Sequence, residues 1–209
     1  MDIHIWLAFV AASTALLLIP GPTVLMVLGY ALSQGRRVAL ATVVGVAMGD
    51  AIAMTASLMG LGALVLASAT LFTVLKWVGA VYLVWLGVRL IRSRPAAASP
   101  DPADLTQTSA RSVFGHAATV TALNPKSIAF FIAFVPQFVA PGAPLLPQFA
   151  ILIPTFVALA ALNALGYALL ADRLRARIGR PAVLTWLSRA GGGALVAMGV
   201  VTATLRRVA

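Results

Sequence analysis

Six long apolar stretches, with most basic residues in short clusters between them, constrain this chain more than any other feature of its sequence. They run approximately Ile5–Leu32, Val38–Ala67, Leu71–Ile91, Val113–Val139, Pro147–Ala171 and Ala182–Leu205. A helix of about 20 apolar residues rises far enough to cross a hydrocarbon core about 30 Å thick. Of the 209 residues, 61% are hydrophobic and 10% charged, against about half and a quarter in soluble domains. The sequence therefore predicts an all-α integral membrane protein with six transmembrane helices. The first stretch has Asp2 before it, no basic segment, and an apolar run too long for a signal peptide, so it reads as a retained span.

The connections set the orientation. Arg36 and Arg37 lie between spans 1 and 2, and Arg89, Arg92, Arg94 and Arg111 around the connection between spans 3 and 4. Arg173, Arg175, Arg177, Arg180 and Arg189 lie between spans 5 and 6. The opposite side has Lys76, Arg206 and Arg207. Positive charge collects on the cytoplasmic side, which puts both termini in the periplasm. The formal charge of +10 is thereby explained by cytoplasmic Arg clusters facing anionic lipid headgroups, and no nucleic-acid partner is expected. Residues 92–112 are rich in Pro, Ala and Ser and read as a flexible cytoplasmic linker. The linker divides the chain into residues 1–91 and 113–209, each with three spans.

These two parts resemble each other in order. Gly21-Pro22 corresponds to Asn124-Pro125, Gln34 to Gln137, Asp50 to Asn163, Gly79 to Gly191 and Gly87 to Gly199. An odd number of spans in each half makes the halves inverted repeats, a feature of secondary transporters. Proline inside a helix removes a backbone bond but suits the first position of a new helix. Pro20-Gly21-Pro22 and Asn124-Pro125-Lys126 therefore predict broken helices in spans 1 and 4. The starts of the second half-helices carry partial positive charge suited to a carboxylate. Simple proline kinks are the alternative.

Polar residues within the spans are few. Glu and Cys are absent, and Asp50 is the one acidic residue deep in a span. A carboxylate there costs about 2.5–3.5 kcal/mol on insertion scales, so it reads as a proton- or substrate-coupling group, or else as a helix-packing group. Lys126 reads as a carboxylate binder or as a structural partner of Asp50. Asn163 reads as a substrate contact or as helix glue. Gln34 and Gln137 read as caps, and the Tyr and Trp residues, His4 and His116 as packing or interfacial groups. Gly45, Gly49 and Gly191 to Gly193 allow close helix approach inside the bundle or between subunits of a homodimer. No metal site, cofactor motif, nucleotide-binding loop or protease dyad is present in the sequence, so an enzyme is not expected.

Along nearly its whole length the chain resembles the LysE/RhtB family of amino-acid exporters. Carrying the resemblance are Pro20-Gly21-Pro22 with Gly29 and Gln34-Gly35-Arg36-Arg37, then Gly45 to Gly49-Asp50. Leu75-Lys76 through Gly79 to Leu83 and Gly87 follow, with Asn124-Pro125-Lys126, Pro136-Gln137-Phe138 and the glycine-rich last span. The resemblance implies a six-span exporter of the bacterial inner membrane, driven by the proton motive force, with no cofactor. Members often have Asn where this chain has Thr23, and an acidic residue where it has Asn163, so Asp50 carries more of the role here. The expected substrate site comprises Pro20, Gly21, Pro22, Thr23, Asn124, Pro125, Lys126 and Asn163, with Asp50 coupling the substrate ammonium or a proton. A single membrane carboxylate tilts the substrate towards neutral amino acids such as homoserine, threonine or leucine. A carrier of another solute or cation, and a non-transporting accessory subunit, are the alternatives.

Overall fold

A computed structural model describes residues 1–19, 21–34, 36–93, 109–140, 142–171 and 181–204. Among these residues the fold is entirely helical. The elements are α1 (Ile3–Leu18), α2 (Pro22–Gln34), α3 (Arg36–Ala67), α4 (Ala69–Arg92), α5 (Ala110–Ala122), α6 (Pro125–Ala129), α7 (Leu145–Leu169) and α8 (Pro181–Thr204). After α6 the chain continues through a π turn, Phe130–Phe134, and a 3-10 turn, Val135–Phe138.

Local chemistry sets the helix ends. Asp2 accepts the His4 and Ile5 N–H groups at the start of α1, Ser68 accepts that of Leu71 at the start of α4, and Ser109 accepts that of Ser112 at the start of α5. Each satisfies a first-turn donor that has no partner within its own helix. Most of the expected linker lies outside the described residues; at its two ends, Arg92 and Ala110 to Ser112 are helical.

Among the described residues, four helices are long and apolar enough to cross a membrane: Val38–Ala63, Thr73–Arg92, Ala110–Phe138 and Leu145–Leu169. A fifth span is made if α1 and α2 count together, across a bend of 58°. The last helix is 24 residues long. The two proline-marked breaks differ in shape. The first turns the chain sharply, whereas α5 and α6 are separated only by Leu123 and Asn124 and still form one span. Proline specifies a missing bond in both cases; the angle depends on what packs around the gap.

Apolar side chains face outward as well as inward. On α3, Leu40, Val44, Met48 and Ile52 are exposed at every fourth position, the stripe a lipid-facing helix surface needs. The inner contacts rely on small residues instead. A methyl group at Gly45 would lie 2.6 Å from the Phe114 carbonyl oxygen, and one at Gly49 would lie 2.5 Å from that of Ala118. These glycines bring α3 directly against α5, so the GxxxG faces inward to the bundle. Gly87 and Gly192 do the same for α4 and α8, each lying 2.5 Å from the other's carbonyl oxygen once a methyl is added. In a solvent as apolar as the side chains themselves, such close approach is a main source of helix association.

This predicts opposite outcomes for two alanine substitutions on one helix. Gly49→Ala must push α3 off α5 and is expected to lower stability by about 1–3 kcal/mol. Gly60→Ala has nothing within 4 Å and is expected to leave stability unchanged or raise it by up to about 1 kcal/mol. Thermal unfolding of both variants in detergent checks the contrast; equal midpoints would remove the packing role given to Gly49.

Candidate functional site

A helix that stops inside a membrane leaves its last carbonyls without intrahelical partners, and no water is at hand to receive them. At the end of α1 these carbonyls are met by side chains from two other spans. The Lys126 ammonium donates to the carbonyl oxygens of Leu16 and Ile19, both at 3.1 Å. Asn163 Nδ2 donates to the Leu17 oxygen at 3.1 Å, and the Tyr167 hydroxyl reaches the Leu18 oxygen at a longer 3.4 Å. A cation is well placed there, because the C-terminal end of a helix carries partial negative charge.

The start of α2 is built differently. Pro22 takes its first position, where the absent N–H is no loss, and Leu25 N–H is the first to find a carbonyl, that of Gly21, at 3.0 Å. Gly21 has no side chain to cap the turn, which leaves the Thr23 and Val24 N–H groups as the orphan donors of this helix start. The start of α6 is closed more completely. Asn124 caps it by accepting the Lys126 N–H at 3.1 Å, and its Nδ2 donates to Thr23 Oγ1 at 3.2 Å. That last bond ties the two chain breaks together.

Asp50 approaches from α3, brought close by the Gly49 contact with α5. It is only 2% exposed, and its Oδ1 has no hydrogen-bond partner. Among the described residues no ion pair joins it to Lys126, whose ammonium is engaged by the α1 carbonyls. Asp50 and Lys126 nevertheless line one cavity, together with Thr23, Val24, Asn124, Asn163 and Tyr167. The cavity volume is about 30 Å³, room for roughly two water molecules.

The structure thus gathers Thr23, Asp50, Asn124, Lys126 and Asn163 around one space. Gly21 lies beside it, since a methyl there would be 3.5 Å from Lys126 Nζ. Pro22 and Pro125 serve as first helical residues and do not line the cavity. Pro20 falls outside the described residues, as does the side chain of Gln34. Gln137 is elsewhere, donating to Thr202 Oγ1 at 2.8 Å. His116 is not merely interfacial: its Nδ1 lies 2.9 Å from the Tyr30 hydroxyl and links α5 to α2. Tyr167, expected from the sequence as a packing or interfacial anchor, belongs to the cavity. Its spacing of four from Asn163 puts both on one face of α7, and that was the signal available. The Leu16 and Ile19 carbonyls have no signature in the sequence.

A family model described as LysE type translocator matches residues 5–206 of the chain. The chain belongs to the LysE-type translocators. It is a membrane transporter and not an enzyme. A homoserine/homoserine lactone efflux protein of Salmonella typhimurium is 36% identical to this translocator over 207 residues, covering 99% of both chains. An uncharacterized membrane protein of Vibrio cholerae is also 36% identical over 207 residues, covering 99% of this chain and 100% of that one. A leucine efflux protein of Klebsiella pneumoniae is 29% identical over 140 residues, 64% of this chain and 63% of its own. No solved structure matches this LysE-type translocator.

Proposed function

We propose that the chain exports neutral amino acids or close derivatives across the bacterial inner membrane, by secondary transport coupled to the proton gradient. The observation that carries this reading is the shared cavity. There a buried Asp50, whose Oδ1 has no hydrogen-bond partner, shares the cavity with the start of α2 and the negative end of α1. A zwitterion has complementary ends: its carboxylate suits the Thr23 and Val24 N–H groups, and its ammonium suits Asp50 and the carbonyls. One carboxylate balanced by Lys126 suits a neutral amino acid better than a cationic one. Efflux of homoserine and of leucine by relatives agrees with that class.

The reading includes six spans arranged as two inverted three-helix repeats, residues 1–91 and 113–209, joined by a cytoplasmic linker, with both termini periplasmic. A paired contact supports the repeat. Gly87 and its counterpart Gly199 both lie in the contact between α4 and α8. The cytoplasmic Arg clusters meet anionic lipid. Gly45, Gly49, Gly191 and Gly192 are occupied within the chain, whereas Gly193 has nothing within 4 Å and is the small residue left for a homodimer contact.

Cells loaded with amino-acid mixtures test the function. Expression of the chain is expected to lower the cell content of one or a few neutral amino acids and raise them in the medium, with the effect lost when the proton gradient is collapsed. Unchanged contents across all amino acids would overturn the reading.

A further inference from the structure

The cavity between the two chain breaks is far too small for an amino acid, so loading it requires something in its wall to move. Most of that wall is short or is locked by packing. Lys126 is different: four methylenes carry its ammonium across the cavity to the end of α1, where two carbonyl oxygens hold it at 3.1 Å. Gly21 presents no side chain on the path. Asp50, across the same cavity, keeps a buried carboxyl oxygen with no partner. The α1 end is therefore already an ammonium-binding site, filled from within the chain, and a second place for that internal ammonium stands open.

Resting on the exporter reading, we propose that the Leu16 and Ile19 carbonyls are the subsite for the substrate's ammonium group, and that Lys126 occupies it only in the empty protein. When substrate arrives, its ammonium takes over these carbonyls and Lys126 turns to Asp50. Its carboxylate meets the Thr23 and Val24 N–H groups. Asn163 and Tyr167 stay on the Leu17 and Leu18 carbonyls and keep the broken end of α1 in place through the exchange. The ligand class is a primary ammonium next to a carboxylate. An N-alkylated amine with no donor to spare for the second carbonyl is excluded, and so is a carboxylic acid lacking the amine.

The test uses the purified full-length chain and does not need the substrate to be known. Lys126→Ala removes three methylenes and an ammonium, the composition of propylammonium. Its thermal midpoint is expected to fall below that of the unmodified protein, to rise again with propylammonium, and to be unmoved by 1-propanol. The unmodified protein, with Lys126 in the subsite, is expected to respond to neither. Should Lys126→Ala fail to fold, Lys126→Met keeps most of the apolar stem and loses the ammonium, and the comparison becomes ammonium against sodium at equal ionic strength, with the same selective rise expected. Equal responses to propylammonium and 1-propanol in the folded variant would overturn the subsite. Selective rescue with efflux unaffected by Asp50→Asn would keep the subsite and overturn the exporter mechanism. Absent rescue with efflux lost would do the reverse.

Discussion

Replacing Asp50 by Asn is expected to lower efflux roughly 30-fold or more, while the protein inserts and folds as before. The magnitude follows from removing one partner of a desolvated charge contact, which costs about 2 kcal/mol or more, with each 1.4 kcal/mol worth tenfold. Asn has the shape of Asp and removes a charge that costs about 2.5–3.5 kcal/mol to place at the bilayer centre. Because Oδ1 has no partner in the empty protein, no native hydrogen bond to that atom is lost. Stability in detergent is thus expected to equal or exceed that of the unmodified chain, and the transport defect then belongs to Asp50 alone. Transport assays normalised to inserted protein decide the matter. Full efflux by the variant would leave the buried carboxyl without a function in transport.

Phe156→Ala is expected to produce the largest loss of stability, about 3–5 kcal/mol on the scale of buried aromatic truncations. Phe156 is fully buried, with its ring edge-on to Phe131 at 4.8 Å and tilted against Phe130 at 6.0 Å. The group adjoins the cavity, since Ala160 and Ser127, each close to a helical turn from these rings, both line it. Phe130, Phe131 and Phe134 all lie on the π turn Phe130–Phe134 and are buried together, since residues three and four apart share a helix face. Truncating the 80% exposed Leu146 is the control, expected to change stability by no more than about 0.5 kcal/mol. Coincident unfolding curves for the two variants would mean that the rings are not what holds α7 against span 4.

The parts of the site that could be read from the sequence are those encoded by single residues against their background. Asp50 stands out because a carboxylate in an apolar run has no neutral explanation, and Asn124-Pro125 because a cap followed by a first-position proline is purely local chemistry. The partners of these residues are a different matter. Lys126 reads as a group for Asp50 or for substrate, yet it binds carbonyls as many as 110 residues earlier in the chain, and a carbonyl looks the same at every position. The GxxxG on α3 marks a close approach without naming the neighbour. The 58° bend and the π turn depend on which hydrogen bonds the surrounding helices allow, and no local propensity records them.

The contact between α4 and α8 limits how this molecule can deform. Gly87 and Gly192 meet backbone to backbone, and Gly199 packs on the Val84 side chain and the Ala80 carbonyl. Side chains act as springs between helices, changing rotamer as one element slides past another; here those beside the glycines are the β-branched Val84, Ile91 and Val196, which are stiff at χ1. The two helices form a single stiff beam, and the compliance of the bundle must reside where the chain itself is interrupted, between α1 and α2 and between α5 and α6. An externally applied strain, such as a thinner bilayer, is therefore transmitted by the beam and absorbed at the breaks, beside the cavity.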